Sequence, residues 1–131
     1  MATAFGILIK RLREGRSLSL REVDQLSRLD HAYVYRLETG AKEAPSADAL
    51  GRLFRALKPT KRQEEVLRFL AGRDVPLELV DPAIVDDATI ALEDFQSVAQ
   101  MSFRGKKPTG VAEWRNAIEK VRKLREELEG G

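Results

Sequence analysis

The run from Asp30 to Gly40 combines an imidazole, two phenol hydroxyls and a guanidinium, side chains able to exchange hydrogen bonds with a polar ligand. Val34 and Leu37 lie three positions apart in this run, which is the spacing of one helical face. A helix buried through these two residues would expose a largely polar face made of His31, Ala32, Tyr33, Tyr35 and Arg36. The guanidinium of Arg36 could donate two parallel hydrogen bonds to a planar pair of acceptors.

The residues before this run predict a second short helix. Ser19, followed three residues later by Glu22, forms a capping box, which is typical of a helix N-terminus. Asp30 is a suitable N-cap for the helix that follows, and Gly40 suits the left-handed position that ends it. Two short helices joined by a tight turn, the second with an exposed polar face, indicate a helix-turn-helix.

Residue patterns typical of enzymes are missing from the sequence. His31 is the single histidine and there is no cysteine, which excludes disulfides and thiolate or histidine-rich metal sites. The neighbouring acidic residues at 64–65, 86–87 and 126–127 would point to different sides of a helix and are more typical of solvated charge. No glycine-rich phosphate loop or nucleophile elbow occurs. We therefore expect no enzymatic activity, no cofactor and no metal.

Charge is distributed unevenly along the 131 residues, although the net charge is only +2. Residues 1–72 carry 14 Lys and Arg against 9 Asp and Glu, residues 73–105 carry 2 against 7, and residues 106–131 carry 7 against 5. The basic first part suits a polyanion, whereas the acidic middle does not. No apolar stretch is long enough for a membrane span or a signal peptide, so we expect a soluble cytoplasmic protein.

Helical periodicity and caps predict an all-α fold in two parts. Residues 1–72 are predicted to form a five-helix domain, with helices at about 3–14, 20–27, 31–38, 47–57 and 61–71. Residues 73–85 contain two prolines and are predicted to be a linker, with a short strand at 75–80 as the alternative. Residues 86–131 are predicted to form a helical dimerisation and regulatory region, with helices at about 87–102 and 110–127.

Four segments of the first part carry a family resemblance: Ile-Lys-Arg-Leu-Arg-Glu at 9–14, Leu-Ser-Leu-Arg-Glu-Val at 18–23, Tyr-Val-Tyr-Arg-Leu-Glu-Thr-Gly at 33–40 and Pro-Ser at 45–46. In this order they resemble the Cro/C1-type (XRE) family of repressors over about residues 5–58. Two positions depart from the family pattern. Asp24 stands where a small apolar residue is usual, and Arg28 replaces the usual glycine at the turn, which implies a strained backbone. The resemblance also implies an ion pair between Arg13 and Glu38.

The resemblance assigns contacts with operator DNA to the exposed face of the second short helix. Residues at the start of a helix in the major groove reach base edges first, so the expected base contacts are His31, Ala32 and Arg36. Arg36 would contact guanine, Ala32 would contact a thymine methyl group, and Tyr33 and Tyr35 would contact bases or phosphates. Further phosphate contacts are expected at Ser19, Leu20, Thr39, Lys42 and Ser46. The alternative is an exposed helix that binds nothing.

The tail carries a second resemblance. Ser-Phe-Arg-Gly-Lys-Lys-Pro at 102–108, followed after four residues by Glu-Trp at 113–114, is similar to the C-terminal segment of the Deinococcus-type DNA-damage-response repressors. In that family the tail supports dimerisation, and a partner zinc metalloprotease cuts within it. The resemblance therefore implies cleavage between Phe103 and Arg104 in a stress or DNA-damage response. The alternative is a helical hairpin with a basic turn and no processing.

The last predicted helix has apolar residues at close to heptad spacing, namely Trp114, Ile118 and Val121. One amphipathic helix cannot bury these side chains alone, so they pack either on a second subunit or in an intramolecular core. We expect a repressor that binds palindromic operators as a homodimer. The alternatives are a phage or mobile-element repressor, an antitoxin, and a protein–protein adapter that does not bind DNA.

Overall fold

The structure is a computed structural model that describes residues 2–40 and 44–130. These residues form α-helices and one short 3-10 segment but no β-strand, so the predicted all-α fold is confirmed. The helices are α1 (Ala4–Gly15), α2 (Leu20–Ser27), α3 (His31–Thr39), α4 (Ala47–Leu57), α5 (Lys61–Leu70), α6 (Pro82–Val85), α7 (Leu92–Ala99) and α8 (Gly110–Gly130). The chain divides into two compact units, Met1–Asp74 and Val75–Gly131.

Each helix of the first unit begins at a residue whose side-chain oxygen accepts a backbone N–H of the first turn. These N-caps are Thr3, Ser19, Asp30, Ser46 and Thr60. Such a cap satisfies a donor that has no partner within the helix and contributes about 1 kcal/mol. All five helices begin and end within one residue of the bounds predicted from the sequence.

The core of the first unit forms where α1 packs on α3, α4 and α5, and where α2 packs on α3 and α4. Its fully buried side chains are mainly aliphatic and include Leu8, Ile9, Val23, Val34, Leu53, Leu57, Leu67 and Leu70. α1 and α3 approach each other closely at Gly6. A Cβ atom there would lie 2.6 Å from the carbonyl oxygens of both Leu37 and Glu38.

The ion pair expected between Arg13 and Glu38 is confirmed. The Arg13 Nε and Nη2 atoms donate to the two Glu38 carboxylate oxygens at 2.6 and 3.0 Å, and Nη1 donates to the Leu18 carbonyl oxygen at 2.9 Å. The Glu38 side chain is only 2% exposed. These bonds to the carboxylate raise the pKa of Arg13. The pair joins α1 to the end of α3 with the two-pronged geometry that arginine favours.

Residues 73–85 differ from the predicted linker. They contain a 3-10 segment, Leu77–Val80, and the short helix α6, and five of their side chains are buried: Val75, Leu79, Val80, Ile84 and Val85. The strand considered at 75–80 is therefore wrong. The two prolines begin these elements rather than interrupt them. Pro76 directly precedes the 3-10 segment, and Pro82 is the first residue of α6, where a missing N–H costs nothing.

α7 is shorter than the predicted helix at 87–102. Residues before it form a turn in which the Asp87 carboxylate accepts from the backbone N–H and the hydroxyl of Thr89, at 2.9 and 2.6 Å. These bonds, with a further one from Arg115, lower the pKa of Asp87 to about 2. Asp87 is an example of a side chain that favours a local turn over helix. α8 extends three residues beyond its predicted end.

The second unit has its own core, formed by α8 against α7, α6 and the 3-10 segment. Trp114 and Ile118 of α8 are buried in it together with Phe95 of α7. The carboxylate of Asp94 is also buried, and it accepts from the Arg125 guanidinium at 2.8 and 3.1 Å. This ion pair holds the C-terminal part of α8 against the start of α7.

Candidate nucleic-acid interface

The predicted division of α3 into a buried and an exposed face is present in the structure. Val34 and Leu37 are 0% and 3% exposed, because they pack in the core of the first unit. Ala32, Tyr35 and Arg36 are exposed, and His31 and Tyr33 are half-buried. The structure therefore keeps all five side chains predicted to contact bases out of the core.

Arg36 carries the cation of this face. Its guanidinium carbon lies 5.9 Å from the centre of the Tyr33 ring, which places the two side chains beside each other on α3. No carboxylate of residues 2–40 or 44–130 forms an ion pair with Arg36. The Arg36 guanidinium can therefore donate two parallel hydrogen bonds to a ligand without first breaking a salt bridge.

The turn between α2 and α3 depends on Arg28. This residue has the left-handed conformation, with φ +60° and ψ +28°, and its N–H donates to the Asp24 carbonyl oxygen at 2.7 Å. The strained turn expected from the replacement of glycine is thereby confirmed. Asp24, the other departure from the family pattern, lies in α2, and its side chain contacts the start of α3. Its Oδ2 atom accepts from the backbone N–H of His31 at 2.9 Å and lies 3.3 Å from His31 Nδ1.

The start of α2 offers only some of the donors expected for a phosphate. Ser19 Oγ accepts from the Glu22 N–H at 3.1 Å, and the Glu22 carboxylate accepts from the Ser19 N–H at 2.9 Å. This capping box lowers the pKa of Glu22 and uses the Ser19 amide. The amides of Leu20 and Arg21 have no partner within the helix and point out of its N-terminus. An anion would bind these two amides and the Ser19 hydroxyl.

The other predicted phosphate contacts lie near the ends of α3 and α4. Thr39 is exposed, and its hydroxyl donates to the Tyr35 carbonyl oxygen at 2.8 Å. Ser46 is exposed, and its hydroxyl oxygen accepts from the Ala49 N–H at 3.1 Å, so its own hydrogen remains available. Lys42 lies outside the described residues.

The three residues predicted to form a dimer seam differ from one another in burial. Trp114 and Ile118 are 1% and 3% exposed within their own unit, and Val121 is half-buried. The sequence left open whether these residues pack on a second subunit or in an intramolecular core. Trp114 and Ile118 belong to the intramolecular core. The large apolar side chains that α8 leaves exposed are Leu124 and Leu128, at 60% and 85%. Their heptad spacing from Val121 indicates in the sequence that they lie on the same helix face as Val121.

The residues predicted to flank a cleaved bond lie between α7 and α8. Residues 100–109 belong to no helix. Arg104 is exposed, whereas Phe103 is half-buried and packs edge-on against Trp114, with ring centres 5.6 Å apart and an angle of 82°. The Lys107 ammonium lies 5.9 Å from the centre of the Trp114 ring. Two side chains of this segment therefore contact the same indole.

A capped helix, a left-handed turn and a following helix with an exposed polar face define a helix-turn-helix of the DNA-binding kind. The family model described as "Helix-turn-helix domain", of the XRE/Cro-like kind, matches residues 4–83, and the chain belongs to this family. The chain is accordingly a DNA-binding regulator. No curated protein matches it. None of the described helices is both long enough and apolar enough to cross a bilayer.

Proposed function

We propose that the chain is a sequence-specific transcriptional repressor that binds palindromic operator DNA as a homodimer. The observation that carries the proposal is α3, whose apolar face is buried while His31, Ala32, Tyr35 and Arg36 remain accessible. In this proposal the chain regulates by occupying DNA and has no catalytic activity of its own.

The base contacts of the proposal follow from the chemistry of the exposed face. Arg36 matches the O6 and N7 acceptors of guanine, and Ala32 matches the methyl group of thymine. His31 lies at the first position of α3, where a side chain reaches furthest into the groove. Tyr33 and Tyr35 would contact bases or the neighbouring phosphates.

Phosphate contacts would hold α3 in register on the duplex. The amides at the start of α2 and the hydroxyls of Ser19 and Ser46 supply donors, and Lys42 would add a cation. Thr39 would contribute by turning its hydroxyl hydrogen from the Tyr35 carbonyl oxygen to a phosphate. The Glu22 carboxylate already accepts from the Ser19 N–H at this helix start. We therefore assign most of the phosphate contact to the amides of Leu20 and Arg21.

The experiment that tests this proposal is selection of binding sites from random duplex DNA by the full-length protein. We expect an enriched motif with two inverted half-sites about 34–36 Å apart along the helix axis. Binding to this DNA should weaken as salt rises, because phosphate contacts release counterions. Recovery of no enriched sequence, while the protein remains folded, would contradict the proposal and favour an adapter that does not bind DNA.

We assign the dimer contact to the exposed end of α8. Val121, Leu124 and Leu128 follow heptad spacing, and the last two leave most of their surface in water. Two copies of α8 in antiparallel pairing would bring Lys120 of each copy opposite Glu127 of the other. A parallel pairing would bring Lys120 opposite Arg125, which repels it. The charges therefore favour the antiparallel arrangement.

Replacing both Leu124 and Leu128 by Glu should convert the protein into a monomer, because four carboxylates would meet in the apolar seam. Sedimentation velocity should show the change, with Leu77→Glu as the control, since Leu77 is an exposed apolar residue of the same unit but lies outside α8. Operator affinity should fall by about 10²–10⁴-fold, because this is the gain in affinity that linking two DNA-binding units supplies. A double variant that still sediments as a dimer would place the interface elsewhere.

We further propose that a partner zinc metalloprotease inactivates the repressor by cutting between Phe103 and Arg104. Support comes from the segment itself, since proteases require extended chain and residues 100–109 form no helix. The cut would detach α8 from the rest of its unit. The remainder would lose Trp114, Ile118 and the partner of the buried Asp94 carboxylate, so this unit would unfold and the dimer would separate.

Co-expression with a metalloprotease encoded beside this gene should yield a fragment that ends at Phe103, as measured by mass spectrometry. The control is the same protease with its zinc-binding residues replaced, which should leave the chain intact. The cut protein should be monomeric and should leave the operator. A fragment that ends elsewhere, or a cut protein that remains dimeric and bound, would overturn this mechanism.

A further inference from the structure

We infer that Asp24, Asp30 and His31 form a binding site for a divalent cation of the zinc class at the start of α3. Each residue offers one ligand atom, and the three atoms all lie within 4.8 Å of one another. His31 Nδ1 is 3.3 Å from Asp24 Oδ2 and 3.3 Å from Asp30 Oδ1. Asp24 comes from α2 and Asp30 from the turn before α3, so the cluster joins two elements.

The spacing of the three atoms suits zinc. Ligands about 2.0–2.2 Å from a tetrahedral Zn²⁺ are about 3.4 Å from one another. Two of the three pairs in the cluster already have this separation, and the third, between the two carboxylate oxygens, is no longer than 4.8 Å. The side chains of Asp24, Asp30 and His31 are 37%, 68% and 41% exposed, so water can complete the coordination.

The charges around the cluster also favour a cation. Two carboxylates converge here, and among the residues that the structure describes neither forms an ion pair with a Lys or Arg. Backbone N–H groups hold both in place, from His31 to Asp24 at 2.9 Å and from Ala32 to Asp30 at 3.2 Å. Such fixed outer hydrogen bonds orient carboxylate ligands before the ion arrives.

The ligand types indicate which ions would bind. One imidazole nitrogen with two carboxylate oxygens suits zinc, cobalt or nickel better than magnesium or calcium, which prefer oxygen alone. Three protein ligands leave a position open, as in zinc sites that exchange a ligand. The positive end of the α3 dipole opposes a cation, so we assign the site to reversible, regulatory binding rather than to folding.

An ion at this site would change how α3 meets DNA, an effect that rests on the proposed function. Coordination through Nδ1 leaves Nε2–H of His31 as an outward donor, which suits the N7 or O6 acceptors of a purine. The ion would also neutralise two carboxylates beside the DNA phosphates and would tie α2 to α3. Zinc should therefore strengthen operator binding.

The site itself is tested without DNA, by titrating the full-length protein with Zn²⁺ in a calorimeter and with Co²⁺ by visible absorption. We expect one saturable site per chain. Asp24→Asn and His31→Gln should each weaken binding by more than the roughly 10–100-fold that outer-shell changes cost. Asp48→Asn is the matched control, since Asp48 is an exposed carboxylate in the first turn of α4. Binding that is absent, or that this control weakens equally, would overturn the site.

The regulatory effect is tested on the selected operator with zinc and with a chelator. Zinc should tighten binding of the wild-type protein but not of Asp24→Asn, whose amide oxygen still accepts the His31 N–H. Equal effects on both proteins would overturn the regulation. Zinc binding by a protein that selects no DNA sequence would instead refute the proposed function and leave the metal site standing.

Discussion

Replacing Arg13 by Met should lower the free energy of unfolding of the first unit by about 3–5 kcal/mol. The change keeps most of the aliphatic stem but leaves the Glu38 carboxylate, which is 2% exposed, without its cationic partner. A buried charge deprived of its partner costs far more than the intact pair contributes. The Leu18 carbonyl oxygen would lose its donor as well.

Urea denaturation followed by circular dichroism measures the effect of Arg13→Met. Arg16→Met is the matched control, because Arg16 ends the same helix and is exposed. A surface change of this kind stays within about 0.5 kcal/mol. Equal denaturation midpoints for the two variants would show that the pair between α1 and α3 contributes little.

Gly6→Ala should destabilise the first unit by about 3 kcal/mol, the upper part of the range for overpacked cores. The added methyl group would lie 2.6 Å from two carbonyl oxygens at the end of α3, and backbone atoms cannot rotate away as a side chain can. α1 and α3 must move apart instead. Since α3 carries the proposed base contacts, operator affinity should fall with stability.

Gly15→Ala provides the control for Gly6→Ala in the same helix. No atom lies within 4 Å of the position its Cβ would take, and alanine favours helix over glycine by about 1 kcal/mol. Thermal melting should therefore show Gly15→Ala at or above the wild-type temperature and Gly6→Ala well below it. Similar melting temperatures would contradict the close approach of α1 and α3.

The helices of the first unit were predictable from the sequence because each begins with a local signal. Caps such as Ser19 and Thr60 act on amides only three residues away, so no tertiary contact is needed to place them. The same locality explains the failure at 73–85, where Pro76 and Pro82 were interpreted as breaks. Whether a proline ends one element or begins the next depends on the apolar residues around it, which here are buried in a core.

The exposed face of α3 was also predictable, because Val34 and Leu37 identify the buried side. The approach of Asp24 to His31 was not, since it depends on how the turn at Arg28 brings α2 against α3. The approach of Asp30 to the same imidazole depends on this turn as well. The burial of Trp114 likewise required knowing that α7 and the 3-10 segment pack on α8.

Binding of Arg36→Ala to two DNAs tests the central claim, that α3 reads base sequence, most directly. The two DNAs are the selected operator and a scrambled duplex of the same length and composition, titrated at one salt concentration. Arg55→Ala is the control for loss of one positive charge, since Arg55 is an exposed residue of α4. We predict that Arg36→Ala weakens operator binding by about 1–3 kcal/mol and scrambled DNA much less, while Arg55→Ala changes neither appreciably. Equal losses on both DNAs would contradict base reading by α3 and reduce Arg36 to a phosphate contact.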